Sequence, residues 1–447
     1  PSRTCVPRKR RGSGSAKGTA SSMLTRGRSA GRTTATVPGP GPGEGGCSCG
    51  RPRLNPRLLI VSGQRGVRLV EVAPGPDGAA AVLDALPDAL AGSGPALAIA
   101  PAGDDDASLR ARAAVLPSPD VTVDDDVAVV VATSGSTGAP RGVLLPAAAL
   151  LSGARATEEA CVGPGAWTLA LPVTSVAGLM VLVRSLVAST EPEIVASVGG
   201  ASPFSAAAFA EATWRLDPSV PACTSLVPAQ AALLLDDPDG RAALLAHELV
   251  LVGAGRTPPE LLDRLRGAGA AVVTTYGMTE TCGGIVYDGV PLPGADVRLL
   301  DVDDDGVGRI ELGGPMIARG YLDGPSDAFV DGRHRTADLG RLVDGRLEVL
   351  GRVDDVVKIG GVSVAVAAVE DALRPLLDDV AVLVDDDAAW GARLTAYVVG
   401  AADEESLAAA VAARLGRAAV PRAWVRLGEL PQLPNGKPDR EALRRRG

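Results

Sequence analysis

From about residue 56 the chain alternates short runs of β-branched and aliphatic residues with alanine-rich stretches that repeat apolar positions three and four apart. Compact apolar runs bounded by Gly, Pro and Asp read as strands, and the wider spacing reads as amphipathic or buried helix. On that pattern strands are expected at 58–62, 127–132, 168–171, 222–227, 249–252 and 272–275, and helices at 177–187, 229–235 and 258–267, the last opening on Pro258-Pro259-Glu260 as a helix start should. Strands alternating with helices imply a largely parallel sheet covered on both faces. After residue 290 the texture changes: apolar runs at 297–302, 309–312 and 346–350 are separated by Asp/Gly turns, the pattern of an antiparallel, barrel-like module. A compact α+β unit is expected from there on, with strands at 356–359, 380–384, 394–399 and 424–427, helices at 364–373 and 404–415, and a short final helix. The expected class is α/β: a large N-terminal domain over 54–353, built of mixed, mostly parallel sheets with covering helices plus the barrel-like subdomain, and a small α+β domain over 354–447.

Charge and composition narrow the partners. The 447 residues suffice for two or three domains, and with aromatics at only 2% the cores must be mostly aliphatic. Residues 1–53 hold eleven Lys and Arg against Glu44 alone, a net of +10; since the whole chain carries −9, the remainder carries −19. So acidic a body argues against nucleic acid, which is bound largely through basic contacts to phosphate. The segment 1–53 lacks periodicity and the apolar content to fold, and is expected to be a disordered basic tail or, the favoured reading, an extension from a misannotated gene start. No secretory signal is legible, and the most apolar long window, 167–189, is interrupted by Pro172, Thr174, Ser175 and Arg184. No membrane span is therefore expected, and the cytoplasm is the expected compartment. Six cysteines do not form a disulfide framework in a chain this long, and Cys47-Ser48-Cys49 lacks the second pair a zinc site needs. His247 and His334 are the only histidines, too few for a histidine-dependent triad, and both are expected at the surface or in turns.

The candidate chemistry starts at Thr133-Ser-Gly-Ser-Thr-Gly-Ala-Pro-Arg-Gly142, directly after the strand expected at 127–132. A strand emptying into a glycine and hydroxyl loop can wrap backbone N–H and side-chain O–H groups around a polyphosphate, because glycine permits positive φ and close approach. No Lys-Ser or Lys-Thr pair follows the glycines, which excludes the P-loop pattern of kinases and GTPases. Lysine is rare: of 44 basic residues only Lys9, Lys17, Lys358 and Lys437 are lysine. Arginine serves wherever mere positive charge suffices, so Lys358 and Lys437 mark places where a compact ammonium is wanted. Lys437 sits in the tight turn Leu433-Pro-Asn-Gly-Lys-Pro438, which presents one side chain outward.

Four further stretches join the loop: Thr274-Thr-Tyr-Gly-Met-Thr-Glu-Thr281, Arg335-Thr-Ala-Asp-Leu-Gly-Arg341, Gly351-Arg-Val-Asp-Asp-Val-Val-Lys-Ile-Gly-Gly361 and the Lys437 turn. In this order and spacing the set resembles the adenylate-forming (ANL) superfamily of acyl- and aryl-CoA ligases, luciferases and peptide-synthetase adenylation domains, over roughly residues 56–447. The resemblance implies that a carboxylate is activated with ATP and Mg2+ and passed to CoA, by a fold whose small C-terminal domain is mobile. It implies that Thr133, Ser134, Gly135, Ser136, Thr137, Gly138 and Arg141 hold the phosphates and that Glu280 holds Mg2+. Gly253, Ala254, Gly255, Thr275, Tyr276, Gly277 and Thr279 would form the nucleotide slot, with Asp338 and Arg352 on the ribose. Lys437, with Thr133 and Glu280, would be catalytic, its ammonium stabilising charge that develops as the carboxylate attacks phosphorus. Asp354 would be the hinge, Gly360 and Gly361 would face CoA, and Thr174, Ser175, Ser225 and Met278 would line the acyl pocket.

Two positions depart from the pattern. Arg141 stands where relatives usually have lysine, and Thr174 and Ser175 stand where they often carry a histidine or aromatic gate. Together with 224–230, 252–259 and 286–292, the short body is most similar to actinobacterial o-succinylbenzoate–CoA ligases of menaquinone synthesis. The chain ends soon after the Lys437 turn, which disfavours a modular peptide synthetase with a following carrier domain. Expected partners are a small carboxylic acid, ATP and CoA, with another acyl- or aryl-CoA ligase or a catalytically weak adenylate-binding paralogue as alternatives, and a homodimer left open.

Overall fold

The structure, a computed structural model, describes residues 63–133, 140–200, 202–353, 356–387, 391–431 and 438–445. The strand expected at 58–62, the loop residues Ser134, Gly135, Ser136, Thr137 and Gly138, the expected hinge Asp354, and Lys437 with its turn lie outside them.

The first layer is built by β1 (Gln64–Val72), α1 (Pro76–Ala91), β2 (Ala96–Pro101), α2 (Asp106–Val115), β3 (Thr122–Asp124), β4 (Val127–Ala132), β5 (Gly142–Pro146) and α3 (Ala147–Ala160). Its strands lie in the order β15-β5-β4-β2-β1-β3, where β15 (Gly320–Tyr321) is lent by a distant part of the chain. β1, β2 and β4 are parallel, and β3, β5 and β15 add antiparallel edges. α1 shows why such segments are helical: Pro76 at its first turn supplies a preset φ, and Gly78, Ala79, Val82, Leu86 and Ala89 bury one face at three- and four-residue spacing.

The second layer comprises β6 (Ala166–Leu169), α4 (Val176–Ala188), β7 (Glu193–Ile194), α5 (Ala206–Arg215), β8 (Ala222–Leu226), α6 (Pro228–Asp236), α7 (Pro238–Ala246), β9 (Leu249–Val252), α8 (Pro259–Gly267), β10 (Val272–Met278), β11 (Gly283–Tyr287) and β12 (Val290–Pro291). Its order is β12-β11-β10-β9-β8-β6-β7, parallel from β7 to β10 and antiparallel beyond. The apolar window 167–189 is no span: it holds β6 and α4, and α4 is buried between the layers from Gly178 to Ser185. No helix among the described residues is long and apolar enough to cross a membrane.

Both histidines correct the sequence expectation, for they are 2% and 4% exposed. His247 stacks on Phe209, with Nδ1 2.9 Å from the Ala243 carbonyl and Nε2 3.2 Å from Thr168 Oγ1. Burial drives its pKa from 6.5 to about 4, so it is a neutral core residue. His334 packs on Phe329, and burial lowers its pKa too. With aromatics so scarce, imidazole is used as interior ring.

The module after residue 290 is a five-stranded antiparallel sheet, β13 (Asp296–Leu300), β14 (Gly308–Gly313), β16 (Phe329–Val330), β17 (Arg333–Val343) and β18 (Arg346–Arg352). The small C-terminal domain follows, with the hairpin β19 (Val356–Ile359) and β20 (Val362–Ala365), α9 (Val366–Leu373), β21 (Asp379–Asp387), β22 (Gly391–Val399), α10 (Glu404–Leu415), β23 (Ala423–Arg426) and α11 (Arg440–Arg444). The helix expected from residue 364 starts at Val366, because Val362 to Ala365 pair with β19 instead. Ion pairs tie this domain to the larger one: Arg256 Nε to Asp371 at 2.6 Å, Arg414 to Glu260 at 2.8 Å and Lys358 to Asp303 at 2.8 Å.

Candidate active site

The parallel strands β6, β8, β9 and β10 point their C-terminal ends the same way, and ligands of α/β sheets bind beyond such ends. Gly253 leaves β9 there. A Cβ on it would lie 2.2 Å from Thr275 Oγ1, so only glycine lets the Gly253-Ala254-Gly255 turn lie against β10. Ala254 completes the bend in the left-handed region, at φ 59°. β10 carries Thr275, Tyr276, Gly277 and Met278, and its register slips between Tyr276 and Gly277 before the turn Thr279–Thr281.

Tyr276 is mostly buried, and its hydroxyl donates to Asp338 Oδ2 at 2.8 Å. Burial first, then the Asp338 charge, push its phenol pKa well above the usual 10. Asp338 is presented by β17, its backbone N–H held by Thr336 Oγ1 at 3.0 Å, with Arg352 of β18 as its register partner. The residues expected at adenine and at ribose are thus joined directly across 62 positions of sequence.

Glu280 lies in the turn after β10, and its Oε1 accepts the hydroxyl of Tyr321 at 2.8 Å. Tyr321 belongs to β15, which runs antiparallel to β5 immediately after the hydroxyl loop. Ala318 N–H donates to the Glu280 carbonyl at 2.9 Å, Arg319 N–H to that of Leu144 at 2.9 Å and Leu322 N–H to that of Gly142 at 2.8 Å. One short segment therefore stitches the Glu280 turn to the strand that leaves the loop. The neck of that loop is closed by Thr133 N–H to the Arg141 carbonyl (2.9 Å) and Arg141 N–H to Thr133 Oγ1 (3.0 Å). The Arg141 guanidinium is engaged by Asp323 and lies over the Tyr321 ring.

The expected acyl-pocket residues have diverse environments. Ser175 caps α4, accepting from Gly178 N–H at 3.3 Å and donating to the Pro172 carbonyl at 2.7 Å. Ser225 is buried at the end of β8, and its hydroxyl has no partner among the described residues. Thr174 lines a cavity of about 300 Å3 with Gly75, Asp105, Ser108, Pro172 and Gly199, and neither Ser225 nor Met278 borders it. Gly360 and Gly361 form the two-residue turn of the β19–β20 hairpin, both at positive φ. Lys358 on that hairpin pairs with Asp303; the lysine and backbone N–H donors hold the Asp303 carboxyl well below the usual range.

Residues 56–322 match the sequence family described as AMP-binding enzyme, and residues 368–437 match the AMP-binding enzyme C-terminal domain. The chain is 42% identical over 386 residues to a probable 2-succinylbenzoate–CoA ligase of Mycobacterium tuberculosis, covering 83% of this chain and 97% of that protein. The chain belongs to the AMP-binding enzymes. Among its relatives in this family is a sulfoacetate–CoA ligase of Cupriavidus necator, 32% identical over 403 residues that cover 82% of this chain and 76% of that protein. The fold is that of o-succinylbenzoate CoA synthetase from Bacillus subtilis in complex with its acyl-adenylate intermediate, with a TM-score of 0.64 at 22% identity, covering 84% of this chain and 87% of that one. The same Bacillus enzyme in complex with ATP and magnesium ion superposes with a TM-score of 0.60 at 25% identity, covering 73% and 72%.

The donor set of this AMP-binding enzyme fits magnesium. No cluster of three His, Cys, Asp or Glu able to hold a metal occurs among the described residues, and Glu280 offers one carboxylate whose second oxygen carries no hydrogen bond there. A single carboxylate supplemented by water and substrate phosphates is the usual Mg2+ environment, whereas zinc or calcium would need more protein ligands. Tyr321 and Asp323 escaped the sequence reading. A signal existed: Tyr321 is one of only four tyrosines, and the scarcity reasoning that singled out lysine applies equally to phenol rings.

Proposed function

We propose that this chain is an ATP-dependent, AMP-forming acid–thiol ligase that joins 2-succinylbenzoate to CoA, a step of menaquinone biosynthesis, in the cytoplasm. The observation that carries the reading is the 42% identity to the Mycobacterium relative across 97% of that protein's length. Two side-chain pairs support the reading: Tyr276 with Asp338 for the nucleotide, and Tyr321 with Glu280 for the ion.

In the first half-reaction a carboxylate oxygen of the acid attacks the α-phosphorus of ATP and pyrophosphate leaves. In the second, the CoA thiol takes the acyl group and AMP leaves. The protein's task is to seat two anions in line and offset their charge. Tyr276 and the Gly253-Ala254-Gly255 turn give the base a face and a slot, and Asp338, oriented by Tyr276, accepts the ribose hydroxyls. The hydroxyls and backbone N–H groups of the 133–142 loop cradle the β- and γ-phosphates. Magnesium supplies positive charge at the phosphate oxygens, and Glu280 is the carboxylate that would hold it. Lys437 brings the ammonium that bridges attacking carboxylate and phosphate. The orphan hydroxyl of Ser225 offers the acid a buried donor.

The domains meet at residue 354 in this reading, and the small one turns about Asp354 between half-reactions, exchanging the Lys437 turn for the Gly360-Gly361 turn. Pyrophosphate release with ATP, Mg2+, CoA and 2-succinylbenzoate, against a panel of other aryl and acyl acids, tests the substrate. Release with a different acid relocates the specificity, and tight nucleotide binding without turnover on any acid favours a binding paralogue. Lys437→Ala is expected to abolish ATP–pyrophosphate exchange while sparing acyl transfer from presynthesised adenylate to CoA; equal loss of both refutes its role.

A further inference from the structure

The family resemblance expects Arg141 to hold phosphate, yet its side chain is engaged by protein groups. Nε donates to Asp323 Oδ2 at 2.7 Å and Nη2 to Asp323 Oδ1 at 2.5 Å, a fork-on-fork pair. The guanidinium carbon lies 3.6 Å from the centre of the Tyr321 ring. That ring is braced by Phe329, edge-on at 5.2 Å, which in turn meets His334 at 4.9 Å. The hydroxyl at the far end of the same ring donates to Glu280 Oε1. Two nitrogens and one flat face of the guanidinium are thus committed to neighbours that fix the aromatic ring carrying the Glu280 donor.

We propose that Arg141 is a positioning residue for the magnesium-binding carboxylate: by clamping its guanidinium on the Tyr321 ring, which Phe329 also braces, it fixes the hydroxyl that orients Glu280. This rests on the reading of Glu280 as the ion's ligand. A lysine cannot replace it, because an ammonium has neither the planar fork for Asp323 nor the flat face for the ring. Such outer partners of a metal ligand are worth about 10- to 100-fold in metal affinity.

The test is Mn2+ binding to the full chain in the presence of ATP, with acid and CoA omitted, followed by electron paramagnetic resonance. Arg141→Lys and Arg141→Ala are expected to weaken Mn2+ by a similar factor, about tenfold or more. Tyr321→Phe, which keeps the ring and loses the hydroxyl, is expected to match them, and Arg141→Lys with Tyr321→Phe to lose no more than the weaker-binding single variant. Wild-type ion affinity in Arg141→Lys, or additive losses in the double variant, overturns the clamp. Thermal melting checks folding; should Arg141→Lys not fold, Asp323→Asn loosens the fork and must weaken Mn2+ in its place. Glu280→Gln separates the premise: wild-type Mn2+ binding there refutes the reading of Glu280 itself, whereas loss in Glu280→Gln with none at Arg141 refutes only the clamp.

Discussion

Tyr276→Phe removes a single oxygen from the proposed nucleotide site. The lost bond is a 2.8 Å hydrogen bond from a mostly buried phenol to Asp338 Oδ2. Hydrogen bonds to charged groups contribute about 1.5–3 kcal/mol. Asp338 is only half-buried, so water takes over part of the task and the lower end applies. Since the bond acts on ATP only by holding Asp338 in place, this value is the ceiling on its effect, roughly a tenfold loss of ATP affinity at most. The ribose neither gains nor loses charge during the reaction, so a contact between Asp338 and its hydroxyls is equally strong in ground and transition states. Such uniform binding raises KM and leaves kcat nearly unchanged. Isothermal titration with ATP reads the affinity, and pyrophosphate release at varied ATP reads the split. Asp338→Asn alone and combined with Tyr276→Phe closes a double-mutant cycle in which the effects must fall short of additive. Unchanged ATP affinity in Tyr276→Phe, or a fall in kcat at constant KM, refutes the assignment of this pair to nucleotide binding.

Two further outcomes follow from the fold. His247 has its pKa lowered from 6.5 to about 4, so its stabilising effect is complete above pH 6.5 and is lost as pH falls towards 4, where the unfolded chain takes up a proton that the native state resists. The full swing is roughly 3 kcal/mol, and urea unfolding at pH 7 and pH 4.5 should show a smaller acid-induced loss in His247→Gln than in wild type. Arg256 and Arg414 join the nucleotide-side residues 256 and 260 to the small domain through Asp371 and Glu260. The Arg414–Glu260 pair is exposed on both sides and contributes at most about 1 kcal/mol, so Arg414→Glu should barely shift the melting temperature but should change the ratio of adenylation to thioester rates, and Arg414→Glu with Glu260→Arg should restore it; an unchanged ratio in the single variant sinks the link.

The strands at 127–132, 249–252 and 356–359 and the helix at 404–415 were legible to the residue, since each is a compact periodic run bounded by turn formers. Short edge elements were not. β15 is two residues long, and nothing local to Gly320 and Tyr321 announces that they pair with β5, some 180 positions away in sequence. The motif residues were readable because each carries local turn chemistry, as Gly253 and the Gly360-Gly361 turn do. What joins them was hidden: the contacts of Tyr276 with Asp338 and of Arg141 with Asp323 are set by how sheets stack, which no window of sequence contains. The histidines failed for a related reason. A polar ring on an apolar face is placed by its partners, and Phe209, Ala243 and Thr168 come from three separate elements.

The segment from Ala318 to Leu322 is hydrogen-bonded at one end to the backbone of Glu280 and at the other to Gly142 and Leu144. The Glu280 turn and the exit of the hydroxyl loop are therefore two points on one thread. An inserted or deleted residue in that thread would displace both ends together.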